Sequence, residues 1–383
     1  MKNAGKHPEE RQNMNTENTS LTYGFIGLGL IGGSIARAIR KTQPDARLIA
    51  YDINPDSLKA ALADGVINTA ADAIDDRFRD CQYLFLCAPV QKNDENLTSV
   101  KQIISPDCLL TDVGSVKTDI HRTIREAGLD SQFIGGHPMT GSERTGYINS
   151  KARLLENAYY ILSPTDTVSS EKLQAYQDLV ASLGAIPLVL DCTSHDYATA
   201  AISHLPHVIA AALVNLVHDN DNEDGILKMI AAGGFKDITR IASSSAQMWQ
   251  QICLTNTENI LVLLDKYIDA LGEIRKDLTD HDGHALYRFF DSARIYRDSF
   301  INTSSGPIKV SYSLTIDIAD EPGALAAIAT ILALHQISIK NIGIAHNRET
   351  ENGVLRIEFY DEASIRQASD ILTAKGYTVY QKH

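Results

Sequence analysis

The fold is decided by residues 23–34, which read YGFIGLGLIGGS. The first four form an apolar strand candidate, and a helical pattern of apolar residues runs from Ile31 to Lys41. Between the two lies a G-x-G-x-x-G motif made by Gly27, Gly29 and Gly32. A strand that turns into a helix through glycines at this spacing is typical of the first βα turn of a Rossmann-type domain.

The glycines and a later acid predict which dinucleotide binds. Gly27 permits the tight turn, Gly29 lets the backbone approach a pyrophosphate, and Gly32 allows close packing of helix on strand. Asp52 ends the next strand candidate, 20 residues after Gly32. Its carboxylate would bind ribose hydroxyls and repel a 2′-phosphate, so we expect NAD rather than NADP. The alternative is a glycine-rich turn without a ligand. The predicted cofactor contacts are Gly27, Leu28, Gly29, Leu30, Ile31, Gly32 and Asp52.

Short apolar runs alternate with amphipathic segments on both sides of this motif, up to Asp191. The alternation predicts a doubly wound α/β domain with a parallel sheet over residues 21–191. The predicted strands are Tyr23–Ile26, Leu48–Tyr51, Tyr83–Cys87, Leu109–Val113, Phe133–Ile134, Tyr159–Leu162 and Pro187–Leu190, and the predicted helices include Ile31–Lys41, Asp56–Ala63, Glu95–Ile104 and Lys117–Ala127.

The pattern changes after Asp191 and predicts two further domains. Residues 192–301 lack strand-like runs and are expected to be all-helical. Ile209–Val217 is apolar on nearly every face, which predicts a helix buried on all sides in the interface of a homodimer. After the linker NTSSGP, residues 310–383 predict the order β-α-β-β-α-β of a ferredoxin-like domain.

The composition excludes several classes of function. The 383 residues are 44% hydrophobic and 22% charged, which is ordinary for a globular protein. A net charge of −13 offers no basic face for nucleic acid. The five cysteines are scattered, so neither a disulfide framework nor a thiolate metal site is expected.

The polar N-terminal residues and the lengths of the apolar runs predict the cellular compartment of the protein. Residues 1–20 are polar and lack the apolar core of a signal peptide, so we expect a flexible tail. No uninterrupted apolar run approaches the roughly 18 residues of a membrane span. A cytoplasmic protein without a membrane partner is expected.

Two loops at the carboxyl ends of predicted strands carry candidate catalytic residues. One reads DVGSVK from Asp112 to Lys117, and the other reads GHPMTGSE from Gly136 to Glu143. Ligands bind at this edge of an open α/β sheet, so Ser115 and His137 are expected to converge there. The alternatives are that Ser115 only caps the following helix and that His137 only packs in its loop.

The helical domain carries two further clusters. The first contains His195-Asp196 and Ser203–His207, which reads SHLPH. Its spacing is not that of H-E-x-x-H and Pro206 disturbs the helix, so substrate contact or packing is favoured over a metal site. The second cluster reads GGFKDITR from Gly233 to Arg240, followed by Trp249. Arg240 could bind a carboxylate through two parallel N–H bonds, or form a structural pair with Asp237.

Taken together in this order, GLGLIGGS, DVGSVK, GGHPMTGSE, SHLPH and GGFKDITR resemble the prephenate dehydrogenase family of tyrosine biosynthesis, in the form with a C-terminal ACT domain. The resemblance spans residues 22–383. It implies oxidative decarboxylation of prephenate to 4-hydroxyphenylpyruvate, with hydride passing to NAD. No metal is then required, because aromatisation of the ring drives the loss of carbon dioxide.

The resemblance also implies roles for individual residues. His137 would accept the hydroxyl proton, and Ser115 would bind both His137 and the substrate hydroxyl. Arg240 and His207 would bind the two anionic groups of prephenate, and Gly233 would allow close backbone approach. Weaker implications are that Asp237 acts from a partner subunit, that Glu143 latches the pocket and that Trp249 lines it.

The C-terminal domain resembles the ACT pattern in DEPGAL, from Asp320 to Leu325, and in Lys340-Asn341-Ile342. ACT domains bind amino acids between paired copies. Gly323 would leave room for the charged groups of the amino acid and Asn341 would bind them, with tyrosine as the feedback inhibitor. The alternative is that Pro322-Gly323 is only a turn and helix start.

Three other functions compete with this reading. An arogenate dehydrogenase would act on an amine where prephenate has a ketone. A β-hydroxyacid dehydrogenase would use a catalytic lysine, for which Lys236 is the nearby candidate. A regulator that senses NAD and an amino acid without turnover would tolerate the loss of His137.

Overall fold

The computed structural model describes residues 20–141, 144–302, 312–318, 321, 323–345 and 353–381. The chain divides into two compact units, the first ending at Arg288 and the second beginning at Phe289. Apart from Ser20, the predicted N-terminal tail lies outside the described residues, and so does Glu143.

A five-stranded parallel sheet forms the centre of the first unit, with strand order β3-β2-β1-β4-β5. From β1 the chain first adds β2 and β3 on one side of the sheet and then β4 and β5 on the other side. The glycine motif that follows β1 therefore lies at a topological switch point. The short strand β3 was not predicted, because three residues of sequence Thr-Ala-Ala carry no strand pattern. The strands are β1 (Thr22–Ile26), β2 (Arg47–Tyr51), β3 (Thr69–Ala71), β4 (Tyr83–Leu86) and β5 (Leu109–Asp112).

Both faces of this sheet are buried. The neighbouring residues Phe25 and Ile26 point to opposite faces and enter two separate apolar cores. Helices cover the faces, as a parallel sheet requires. They are α1 (Leu30–Thr42), α2 (Pro55–Ala63), α3 (Val90–Ile103) and α4 (Thr118–Ala127).

The last three strands of the predicted parallel sheet form a separate mixed sheet instead. Strand β6 (Ile134–Pro138) runs antiparallel to β7 (Tyr159–Pro164), and β7 runs parallel to β8 (Ile186–Val189). The prediction of one parallel sheet was wrong because the described residues between β6 and β7 contain only two 3₁₀ turns and no crossover helix. The helix α5 (Ser170–Ser182) supplies the crossover from β7 to β8.

The rest of the first unit is helical, as predicted. Its first helix runs without interruption from Cys192 to Asp219 as α6 (Cys192–Thr199), a π-helical turn (Ala200–His204) and α7 (Leu205–Asp219). Pro206 lies in the first turn of α7, directly after the π-helical turn, so the helix continues through it. The remaining helices are α8 (Ile226–Ile230), α9 (Gly233–Thr239), α10 (Ala246–Thr255), α11 (Thr257–Thr279) and α12 (Gly283–Asn302), which crosses the unit boundary.

The apolar stretch of α7 is not buried within one chain. Only Leu205 and Ala210 are buried on this helix, and Leu216 is 60% exposed. The continuous helix from Cys192 to Asp219 would also be long and apolar enough to cross a membrane, by length and composition alone. Its buried side chains His195, Asp196 and His204 are part of the candidate site, as described below.

The second unit holds a four-stranded antiparallel sheet of order β10-β11-β9-β12 with two helices. Its described elements follow in the order β-α-β-β-α-β, and its core is apolar, with Ile316, Ile328 and Leu372 fully buried. The elements are β9 (Tyr312–Ile318), α13 (Ala324–Leu334), β10 (Ile339–Ala345), β11 (Gly353–Phe359), α14 (Glu362–Ala374) and β12 (Val379–Gln381).

Candidate active site

The glycine motif forms a tight loop between β1 and α1. Gly27 has a φ of +95°, and a Cβ there would lie 2.6 Å from the backbone nitrogen of Ala88. A Cβ on Gly32 would lie 2.7 Å from the carbonyl oxygen of Gly27. A Cβ on Gly29 would meet no atom within 4 Å, and Gly29 is the N-cap of α1. The loop therefore leaves space at the positive end of a helix, where a pyrophosphate would bind.

Asp52 supports this loop from the end of β2. Its carboxylate accepts hydrogen bonds from the backbone N–H of Leu28 at 2.6 Å and of Asn54 at 2.7 Å. Leu28 is buried, whereas Leu30 and Ile31 are half-buried at the start of α1. The structure thus fixes this acid beside the glycine loop, and its predicted contact with the ribose of NAD stays a prediction.

A buried carboxylate holds both predicted catalytic loops. Asp112 ends β5 and forms an ion pair with Lys117, whose side chain has no exposed surface. The same carboxylate accepts from the backbone N–H of Gly114 at 2.8 Å and of Gly136 at 3.1 Å. The loops that carry Ser115 and His137 are therefore fixed relative to one another.

His137 pairs with a second histidine rather than with Ser115. Its Nδ1 lies 2.8 Å from Nε2 of His195, and Nδ1 of His195 lies 2.7 Å from Oδ1 of Asp196. The structure has no hydrogen bond between His137 and Ser115, both of which it describes. His195 bonds Nδ1 of His137, so the structure does not show the expected hydrogen bond from Ser115 to this ring.

Asp196 also joins α6 to α4. Its carboxylate accepts from the backbone N–H of Lys117 at 2.7 Å and of Thr118 at 2.8 Å, and from the Thr118 hydroxyl at 2.5 Å. Asp196 therefore caps α4, the role that the alternative reading gave to Ser115. The sequence pointed to His195-Asp196 as a cluster, but their contact with His137 joins residues 58 apart in the chain and could not be read from spacing.

The surroundings keep His137 uncharged. Burial is the main cause that lowers the pKa of His137 well below 6.5, and His195, Lys117 and His204 lower it further. Burial alone would raise the pKa of Asp196, but hydrogen bonds from His195, Thr118 and Lys117 hold it below its usual value. The site therefore contains a neutral His137 that is joined through His195 to a stabilised carboxylate.

His204 lies deeper in the helical domain and is also uncharged. Burial lowers its pKa from 6.5 to about 4. The Asn256 side-chain amide donates to Nδ1 of His204 at 3.1 Å and to the carbonyl oxygen of Asp196 at 2.8 Å. Among the described residues, no group of three or more His, Cys, Asp or Glu is arranged to hold a metal ion.

His207, Trp249 and Arg240 form a second group. The rings of His207 and Trp249 stack with centroids 3.6 Å apart. His207 donates from Nδ1 to the carbonyl oxygen of Ser203 at 2.9 Å, so a neutral ring leaves Nε2 as an acceptor. Burial, followed by the charge of Arg240, lowers the pKa of His207. The buried indole N–H of Trp249 has no hydrogen-bond partner in the described part of the chain.

The remaining predicted residues lie on α9, in the second unit or outside the described chain. Gly233 begins α9 and Asp237 lies on its exposed side, while Arg240 follows the helix directly. In the second unit, Gly323 has a φ of +96° immediately before α13. Asn341 is exposed on β10, and its side-chain oxygen accepts from the backbone N–H of Ile342 at 2.9 Å.

Two family models match the first unit over nearly its whole length. Residues 35–188 match the nucleotide-binding domain of prephenate dehydrogenase, and residues 191–292 match its dimerization domain. Among solved structures, the prephenate dehydrogenase of Aquifex aeolicus, in complex with hydroxyphenyl propionate and NAD+, is 29% identical with a TM-score of 0.70. The match covers 74% of this chain and 99% of that one. The arogenate dehydrogenase of Synechocystis is 28% identical with a TM-score of 0.65, over 73% of this chain and 100% of that one.

Curated relatives extend the match towards the C-terminus. The prephenate dehydrogenase of Bacillus subtilis is 39% identical over 92% of this chain and 95% of its own length. The enzyme of the same name from Lactococcus lactis is 33% identical over 93% of this chain and 98% of its own length. A cyclohexadienyl dehydrogenase from Zymomonas mobilis is 30% identical over 70% of this chain and 92% of its own length. With this glycine loop, its supporting acid and the buried histidines, the chain belongs to the prephenate dehydrogenase family of NAD-dependent oxidoreductases.

Proposed function

We propose that this enzyme converts prephenate to 4-hydroxyphenylpyruvate and carbon dioxide, with His137 as the acceptor of the hydroxyl proton. The observation that carries the proposal is the pairing of His137 through Nδ1 with a buried histidine and carboxylate. This pairing leaves Nε2 of His137 as the basic atom. Because its surroundings lower its pKa, His137 is unprotonated at neutral pH, as a base must be.

Ser115 contributes to the same site in this proposal. It lies between Gly114 and the start of α4, in the loop that Asp112 ties to the loop of His137. Since it does not bind His137, its hydroxyl is available to the hydroxyl group of the substrate. The family resemblance implies that Ser115 binds both His137 and the substrate hydroxyl, and this proposal keeps the contact with the substrate.

Prephenate carries two carboxylates, and the second group of residues suits them. Arg240 is a cation that can bind a carboxylate bidentately, and its charge reaches His207. Trp249 adds an apolar ring and a buried N–H donor that has no partner in the described part of the chain. We keep Gly233, Asp237 and Glu143 as proposed members of this pocket, with Asp237 acting from a partner subunit.

NAD supplies the acceptor for the hydride that leaves the hydroxyl-bearing carbon. The proposed contacts are the glycine loop from Gly27 to Gly32 for the pyrophosphate and Asp52 for the ribose. The open space at Gly29 and the fixed carboxylate of Asp52 support them.

Arogenate is the second candidate substrate. The likeness to the Synechocystis arogenate dehydrogenase and to the Zymomonas mobilis cyclohexadienyl dehydrogenase favours testing it. Arogenate differs from prephenate by an amine in place of a ketone. We infer prephenate because His207 is a neutral acceptor, and the described part of the pocket shows no acid beside it to pair with an ammonium group.

The substrate assignment is tested by initial rates of NADH formation with prephenate or arogenate and NAD or NADP. We expect prephenate with NAD to give the highest kcat/KM. A higher kcat/KM for arogenate would show that arogenate is the preferred substrate, and the proposed role of His137 would stay the same. Absence of turnover with both substrates, from protein that binds NAD, would favour a sensor over an enzyme.

We further propose that residues 310–383 form an ACT domain that binds tyrosine as a feedback inhibitor, with Gly323 and Asn341 as ligands. The order β-α-β-β-α-β and the left-handed backbone of Gly323 support the assignment. The Bacillus subtilis relative matches over 92% of this chain, which includes part of this unit. The proposed boundaries of the other domains are residues 21–191 and 192–301.

A homodimer through the helical domain is the proposed assembly. The exposed apolar side chains of α7 and the match to a dimerization domain support it. Light scattering should then give twice the chain mass of 41.9 kDa. This pairing also accounts for the apolar helix from Cys192 to Asp219 without a membrane, in keeping with a cytoplasmic enzyme.

A further inference from the structure

Behind His137 lies a chain of hydrogen bonds that a lone proton acceptor would not need. It consists of His137, His195 and Asp196, which we call the relay. The two steps measure 2.8 Å and 2.7 Å. The side chain of His195 has no exposed surface and that of Asp196 is 1% exposed, so water does not compete for these bonds.

The directions of the two hydrogen bonds follow from the contacts of Asp196. Both of its oxygens accept from backbone N–H groups, those of Lys117 and Thr118. An ionised carboxylate only accepts, so Nδ1 of His195 is the donor to it. We take His195 as a neutral imidazole in the resting enzyme, so its one N–H is on Nδ1 and its Nε2 accepts from Nδ1–H of His137. The relay therefore fixes the tautomer of His137 that has its lone pair on Nε2.

We propose that His195 and Asp196 are positioning residues that hold His137 in this tautomer and take up the positive charge formed during the reaction. The inference rests on the proposed role of His137. When the O–H bond of the substrate breaks, its proton bonds to Nε2 of His137. The proton on Nδ1 of His137 then moves to Nε2 of His195. The relay thus gains the one proton that the substrate hydroxyl loses, and the positive charge comes to lie on His195 beside the carboxylate of Asp196.

The charges around His137 favour this transfer. His195 and His204 face it from the first helix of the helical domain, and Lys117 faces it from the start of α4. These groups and burial disfavour a cation on His137. Lys117 is itself paired with Asp112, so the carboxylate of Asp196 is the group placed to stabilise a charge on His195.

Three variants test the relay, and a fourth serves as a control. His195→Leu removes the acceptor for Nδ1–H of His137. His195→Gln keeps it, because the amide oxygen can accept from His137 while the amide nitrogen donates to Asp196. Asp196→Asn removes the negative charge. Thr199→Val is the control, since among the described residues the buried Thr199 hydroxyl bonds backbone carbonyl groups of α6 and no side chain.

We expect kcat for His195→Leu to fall by about tenfold or more, with KM for prephenate and NAD changed by less than about threefold. His195→Gln should recover part of that loss, because it restores the tautomer but cannot accept the proton. In Asp196→Asn the acidic limb of the kcat/KM profile should move to lower pH, because the carboxylate no longer stabilises the protonated pair. Thr199→Val should leave kcat and the pH profile unchanged.

Equal kcat values for the wild-type enzyme, His195→Leu and His195→Gln would overturn the relay. So would equal losses of kcat in His195→Leu and Thr199→Val with unchanged pH profiles, since that pattern indicates loosened packing of α6. If Asp196→Asn fails to fold because α4 loses its cap, the kcat values and pH profiles of the two His195 variants test the relay. A wild-type enzyme that turns over neither prephenate nor arogenate would instead refute the proposed function.

Discussion

The protonation state of His137 governs the proposed chemistry. His137→Asn removes the basic nitrogen and keeps a side chain of similar polarity. We expect kcat to fall by about a hundredfold or more, since general base catalysis contributes about that much. The NAD affinity should be retained, because no cofactor contact is lost. Steady-state rates and NAD titration check this expectation, and an unchanged kcat would remove His137 from the mechanism.

Arg240 is the proposed carboxylate ligand, and its loss should affect substrate binding before chemistry. Arg240→Ala should raise KM for prephenate by about tenfold or more, which corresponds to a charge-assisted hydrogen-bond pair. Lys236→Ala, on the preceding helix, is the matched control for loss of a positive charge. If both variants have the wild-type KM, Arg240 does not contact the substrate.

His204 couples folding to pH. Its pKa is lowered from 6.5 to about 4 by burial, so the unfolded chain takes up a proton at a pH where the folded chain does not. Its contribution to stability is therefore full above about pH 6.5 and is lost as pH falls towards 4. We expect the free energy of unfolding to fall by about 2 kcal/mol from this group between pH 7 and pH 5.

Urea unfolding at the two pH values measures this effect, with His204→Gln for comparison. The variant removes one titrating group and should show a smaller difference between pH 7 and pH 5. His137 and His121 have lowered pKa values from burial as well, so some dependence should remain in the variant. An identical pH dependence in both proteins would contradict the assignment of His204.

The loop between β1 and α1 contains Gly29, which we expect NAD binding to require, and Gly27, which we expect folding to require. Gly29→Ala places a methyl group where no atom lies within 4 Å, so the fold should be unaffected. The same methyl group would obstruct a pyrophosphate, and we expect the dissociation constant for NAD to rise by about tenfold or more.

Gly27→Ala is the matched comparison. Its φ of +95° and a Cβ 2.6 Å from the backbone of Ala88 should destabilise the fold by about 2 kcal/mol or more. Thermal unfolding and calorimetric titration of both variants separate the two effects. A Gly29→Ala protein that binds NAD as tightly as wild type would place the pyrophosphate elsewhere.

Local patterns predicted four of the five strands of the first sheet and the helices that cover it, because each of these elements carries its own periodicity, which the short β3 lacks. They failed at β6, where the direction of a strand depends on the length of the connection to β7 and not on the residues within it. They also failed for the partner of His137. Ser115 and His137 share a sheet edge, but the approach of α6 that brings in His195 is a tertiary contact.

Across the whole molecule, the second unit is proposed to regulate the first. Asn341→Ala should relieve inhibition by tyrosine and leave kcat in its absence unchanged, because the residue lies outside the catalytic unit. Lys340→Ala on the same strand is the control for disturbance of β10. Inhibition curves for tyrosine check the pair, and equal inhibition of Asn341→Ala and wild type would refute the proposed ligand.

The central claim is that this chain oxidises and decarboxylates prephenate in one reaction, and product stoichiometry tests it most directly. NADH, carbon dioxide and 4-hydroxyphenylpyruvate are to be quantified together after complete conversion of prephenate by the wild-type enzyme. We predict equal amounts of all three from the wild-type enzyme, and about a hundredth of each or less from His137→Asn over the same time, after the uncatalysed background is subtracted. NADH formed without carbon dioxide, or no NADH from protein that binds NAD, would contradict it.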